Sequence, residues 1–123
     1  MRTVKTYAPI VLRLGIALVF LWFGTQQLLH ATSWTSYLPT FTTSWSIKAT
    51  TIVMLNGLFE TIFGALLLLG VFVRSVALVL ALHMFGILIS VGYNEIGVRD
   101  FGLLIATIAI ALNGKDEWSL KEK

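Results

Sequence analysis

Long apolar stretches alternate with short polar ones along this chain, and the polar positions inside the apolar stretches recur at helical spacing. The stretches cover about residues 7–30, 49–72, 74–93 and 97–113. Each is about 17 to 24 residues long, and a hydrocarbon layer roughly 30 Å thick takes about 20 helical residues to cross. A closed barrel is the other way to satisfy backbone groups in lipid, and it is built from about ten-residue segments of alternating polarity. Runs such as Gly64-Ala-Leu-Leu-Leu-Leu-Gly70 do not alternate. The pattern therefore predicts an all-α fold, a transmembrane four-helix bundle. It forms a single integral membrane domain over residues 1–123, multi-pass in the cell membrane.

Residues at i, i+3, i+4 and i+7 share one helix face. In the first helix that face carries Arg13, Ala17, Phe20, Gly24 and Gln27, with Gln26 and His30 beside it. In the second it carries Asn56, Gly57, Glu60 and Gly64. The third offers His83, Gly86 and Ser90, and the fourth Asp100, Leu103 and Thr107, with Arg99 one step round. Faces that mix small and polar residues are how helices pack in lipid, so all four are expected to turn inward. Glu60 and His83 fall near the middle of their spans. Arg13 falls roughly 7–8 Å from the middle of its own, counting 1.5 Å per residue. If it faces inward, Glu60 is its only acidic partner at a suitable depth.

The links add detail. Pro9 suits the first turn of a helix, where its missing N–H costs little. Residues 31–47 mix Ser and Thr with Trp34, Tyr37, Phe41 and Trp45. They form either an aromatic belt at headgroup level or a lid over one mouth of the bundle. Residues 71–74 and 94–97 read as tight turns, which makes the helices they join antiparallel neighbours. Asn113-Gly114 reads as a helix C-cap.

Composition agrees with a membrane domain: 57% of residues are hydrophobic and 12% charged, with a mean hydropathy of +0.86. The net charge of +3 says less than its placement. Arg2, Lys5, Arg74, Lys115, Lys121 and Lys123 fall in segments that four spans place on one side. The positive-inside rule then puts both termini in the cytoplasm. Nucleic acid is not an expected partner. The chain has no cysteine, which excludes disulfides and thiol chemistry by its own residues. The first stretch is too long and too polar for the apolar region of a signal peptide, and is read as a retained helix.

Ionisable residues inside membrane spans cost about 2.5–3.5 kcal/mol each on insertion scales, and they mark functional sites by default. The intramembrane polar set is Arg13, Asn56, Glu60 and His83. Each has a structural reading as well. Arg13 and Glu60 are either a functional pair or an ion pair that locks the bundle. His83 is more simply a hydrogen-bonded structural residue than a ligand, and no metal site is expected. Arg99 and Asp100 open the fourth helix, where Gln27 and His30 close the first. Together these four make a candidate ligand-binding group, with anchoring of a helix end as its structural alternative.

The residues assembled above resemble the DoxX/DoxD-like family of small four-helix membrane proteins. The similarity lies in Arg13-Leu-Gly-Ile-Ala-Leu-Val-Phe20 with Gly24, in Asn56-Gly-Leu-Phe-Glu60-Thr-Ile-Phe-Gly64 closed by Gly70, and in Arg99-Asp-Phe-Gly-Leu-Leu104. A lysine common in the family after the first glycine motif is replaced here by Gln26 or Gln27. The resemblance implies a membrane subunit of a quinone-linked system of thiosulfate or thiol oxidation, or of the oxidative-stress response. A bound quinone is then the expected cofactor, with none covalently attached. The lipid bilayer, a soluble redox protein and further copies of the chain are the expected partners. Two other functions compete with it: a non-catalytic scaffold holding a soluble partner through residues 116–123, and a small-solute or proton transporter using Glu60 and His83.

Overall fold

The computed structural model describes residues 4–34, 48–91 and 95–119, with side chains omitted at Trp34, Ser90, Val91, Glu95 and Ile96. The belt or lid formed by Tyr37, Phe41 and Trp45 lies outside the described residues, as does Asn94 of the expected turn. Among the described residues the chain is all-helical. Four long helices, α1 (Val4–Leu29), α3 (Ala49–Leu69), α4 (Val73–Val91) and α5 (Glu95–Asn113), are joined by one short turn of helix, α2 (Ala31–Trp34).

The helix limits have local causes. Gly70 ends α3 in the left-handed conformation, at φ 80°, and its N–H donates to the carbonyls of Leu66 and Leu67. Val71 N–H donates to Leu66 O at 3.0 Å, which completes a Schellman motif. So α3 stops at Leu69, short of the expected residue 72. Gly114 closes α5 in the same way, with φ 76° and its N–H on Ile110 O at 2.9 Å. At the other extreme, α1 starts at Val4 and places Pro9 inside the helix rather than in its first turn. Pro9 denies a hydrogen bond to the carbonyl of Lys5, a loss that water can offset because Lys5 is exposed.

Packing runs in a ring: α1 on α3, α3 on α4, α4 on α5 and α5 on α1. The α1–α3 contact is the most extensive and α4–α5 the next, while α3 and α4 touch sparingly. Close approach explains the first. A Cβ on Gly24 would stand 2.7 Å from Thr61 N and 2.8 Å from Gly57 O, and one on Gly57 would stand 2.8 Å from Gln27 Cβ. The two backbones are nearly in contact there. The core is built of Ala17 and Phe20 of α1, Leu67 of α3, Val73, Ala77 and Leu80 of α4, and Ile110 of α5. The buried strip of α4 is thus apolar. Gly86, expected to face inward, is exposed with nothing within 4 Å of where its Cβ would be.

The outer faces are apolar too. Leu18 and Trp22 of α1, Leu58 and Ile62 of α3, Leu82 and Phe85 of α4, and Phe101 and Ile105 of α5 are all exposed. Two helices, Val4–Leu29 and Ala49–Leu69, are long and apolar enough to cross a membrane, and Val73–Ile89 is a shorter apolar helix.

Candidate functional site

Three polar clusters interrupt this apolar frame. In the first, Glu60 of α3 is buried. Its Oε1 accepts a hydrogen bond from Gln27 Nε2 at 2.5 Å. The same nitrogen donates to Phe23 O at 3.2 Å, and Gln27 Oε1 accepts from Asn56 Nδ2 at 2.6 Å. Asn56 therefore positions Gln27, and Gln27 positions the carboxylate. The other oxygen, Oε2, faces His83 Nε2 of α4 at 3.5 Å, long for a hydrogen bond. His83 Nε2 is buried and makes no hydrogen bond among the described residues. The imidazole lies against the Phe59 ring, centroids 4.5 Å apart, and Phe59 stacks on Phe63 at the same spacing.

The second cluster belongs to α5 and α1. Asp100 is buried, and its Oδ1 accepts from Arg99 Nε at 3.1 Å and Nη2 at 3.0 Å. The Arg99 side chain remains 49% exposed, with its guanidinium carbon 5.0 Å above the Phe23 ring. Trp22 meets that ring edge to face at 5.2 Å. Gln27 ties the two clusters together through the Phe23 carbonyl.

The third cluster lies where α3 ends. Arg13 Nε donates to Asp116 Oδ2 at 2.7 Å and Nη2 to Oδ1 at 3.2 Å. Arg13 Nη1 donates to Leu67 O at 2.8 Å and Leu68 O at 2.7 Å. A cation there meets the negative end of the α3 dipole. Arg74 does the same for α5, donating to Ala111 O at 3.0 Å and Leu112 O at 3.3 Å. Asp116 Oδ1 also accepts from Trp118 N–H at 2.9 Å, and Asp116 N–H donates to Ser119 Oγ at 2.9 Å. Burial alone would push the Asp116 carboxyl up. The hydrogen bonds and charge of Arg13, the Trp118 amide and the Ser119 hydroxyl outweigh it and hold the group below its ordinary value.

These positions correct one expectation. Arg13 does not meet Glu60; it binds Asp116 and the last carbonyls of α3. Matching residues by distance from the middle of each span assumes that helices align end to end. Here Gly24 faces Thr61 and Gly57, while Arg13 faces Leu67 and Leu68. Helix α1 thus overhangs the end of α3 by roughly two turns. The expected group of Arg99, Asp100, Gln27 and His30 is divided as well. Arg99 and Asp100 are together, Gln27 is committed to Glu60 and Asn56, and His30 is exposed at the end of α1. Asp116 and the aromatic partners Phe23 and Phe59 were not foreseen. The signal for Asp116 is local: an Asp two residues before an amide that it accepts is an Asx turn, here just beyond the Asn113-Gly114 helix end.

A protein-family model described as DoxX matches residues 8–92, whereas no curated protein and no solved structure matches the chain. The matched region holds Arg13, Gln27, Asn56, Glu60 and His83, and stops before Arg99, Asp100 and Asp116. Together with the two long apolar helices it marks a membrane protein. The match covers well over half of the chain, and the protein belongs to the DoxX family.

Proposed function

We propose that this protein is the multi-pass membrane subunit of a quinone-linked redox system, and that it binds the quinone head against Arg99. All four long helices cross the bilayer in this reading. The 19 residues of α4 and of α5 each measure about 28 Å at 1.5 Å per residue, close to a hydrocarbon thickness of about 30 Å. Exposed apolar side chains on every long helix support the same reading. Lys5, Arg74 and Lys115 gather at one end, so both termini are cytoplasmic by the positive-inside rule.

One observation carries the site: Arg99 is half-exposed, fixed by buried Asp100, and laid over an aromatic face. Two of its N–H groups bind Asp100 Oδ1, which leaves others to reach a carbonyl oxygen. Asp100 orients the guanidinium, and Phe23 and Trp22 supply flat apolar walls, the usual make-up of a small-ligand pocket. A quinone head, when bound, supplies two-electron redox chemistry. The chain supplies position and a charge-assisted donor. A soluble redox protein would exchange electrons with the bound head. The scaffold alternative loses part of its arm, since Asp116 is held inside by Arg13.

Quenching of tryptophan fluorescence by a short-tailed ubiquinone, in mild detergent, tests the reading, with Trp22→Phe as the reporter control. Losing a hydrogen bond from a charged group costs about 1.5–3 kcal/mol. Arg99→Gln should therefore weaken binding at least about tenfold. Unchanged affinity in an Arg99→Gln protein that melts normally overturns the site.

A further inference from the structure

We propose that Glu60 and His83 form a proton-binding pair within the apolar span, reached from the lipid through the seam between α3 and α4. The inference rests on membrane insertion and not on quinone binding, so the two fail separately.

Three features support it. First, Glu60 has no arginine or lysine partner among the described residues, because Arg13 is spent on Asp116. An uncompensated charge in lipid is expensive. Gln27 fixes Oε1 and is neutral, so among the described residues the titratable side chain facing the carboxylate is His83, at 3.5 Å from Oε2. The other neighbours do not intervene: Asp100 on α5 is held by Arg99, α2 carries no ionisable residue, and His30 of α1 is exposed. Second, one proton between the two groups gives a net-neutral pair in either arrangement, carboxylic acid with imidazole or carboxylate with imidazolium. Third, the imidazole spans the seam. Its Nε2 is buried, yet the side chain as a whole is 22% exposed, against 4% for Glu60. The exposed part therefore lies elsewhere in the side chain. An imidazole accepts a proton at one nitrogen while giving one up at the other. Packing of α3 on α4 is sparse, and Gly86, one turn along α4 from His83, has open space beside it.

Dicyclohexylcarbodiimide probes such a site, because it partitions into lipid and adds to carboxylic acids. The acid proton goes to a carbodiimide nitrogen and the carboxyl oxygen to the central carbon. The acylisourea rearranges to a stable acylurea, and no atom is lost. The full chain in phosphatidylcholine nanodiscs should gain one adduct, mapped to Glu60 by peptide mass. Glu60→Gln should abolish it, and a water-soluble carbodiimide at equal concentration should not produce it. His83→Gln removes the titratable side chain that faces the carboxylate, so Glu60 should be labelled faster than in the wild type under the same conditions. No adduct on Glu60 of the unmodified chain overturns the proposal, and that arm needs no variant to fold. Equal labelling by the water-soluble reagent overturns access from lipid, and an unchanged labelling rate in His83→Gln overturns the pair.

Discussion

Replacing Arg13 by Gln should be among the most damaging single changes available to this protein. The guanidinium makes two hydrogen bonds to Asp116 and two to the α3 carbonyls, and both side chains of the ion pair are 2% exposed. Removing one member of a buried pair costs about 3–5 kcal/mol, because the remaining charge loses its partner. For a chain of this size that corresponds to a fall in melting temperature of the order of 10 °C or more. Asp116→Asn should cost less, about 2 kcal/mol, the scale of one charge-assisted hydrogen bond. Arg13 keeps the carbonyls of Leu67 and Leu68 and the favourable helix end, and the Asn oxygen still accepts from Trp118. The double variant should lose less than the sum of the singles, with a coupling of up to about 3 kcal/mol. Arg13→Gln with Glu60→Gln should be additive within about 0.5 kcal/mol, as for distant sites. Thermal melts in mild detergent, followed by tryptophan fluorescence, give all five values. Strict additivity of Arg13→Gln with Asp116→Asn refutes the reasoning. Acid supplies a second check. The Asp116 carboxyl titrates below its ordinary value in the folded protein. Its contribution is therefore complete above the unfolded value of about 3.9 and is lost as pH falls through the lower folded value. Asp116→Asn should remove that part of the acid destabilisation below about pH 4.

Close helix contact makes the glycines unequal. Gly24→Ala should destabilise, since the new Cβ would meet Thr61 N at 2.7 Å. Gly15→Ala meets nothing within 4 Å and should gain up to about 1 kcal/mol of helix stability; equal melts for the two would refute the α1–α3 approach. Proposed topology is testable on the cysteine-free chain, in which Lys115→Cys should react with an impermeant maleimide from the cytoplasmic side and Ser33→Cys from the opposite side. Reaction of both from one side would overturn it.

The sequence by itself determined the all-helical fold and the four long helices, because each rests on local signals. Apolar runs mark the long helices, Gly114 marks the end of α5, and the short link expected at 71–74 makes α3 and α4 antiparallel. It also singled out Glu60, His83, Arg99 and Asp100 as polar residues that need an explanation. What the sequence left open was how far each helix slides along its neighbour. Sliding does not alter a helical repeat, and it is fixed here by backbone contact at Gly24 and Gly57. That register carries Arg13 to the end of α3, where Asp116, remote in sequence, completes its shell. It also leaves Glu60 to Gln27 and His83. The packed strip of α4 was equally beyond reach, since the outer faces of this protein are as apolar as its core. When both faces are apolar, hydrophobic periodicity no longer tells inside from outside, and only the packing of α4 against α5 decides.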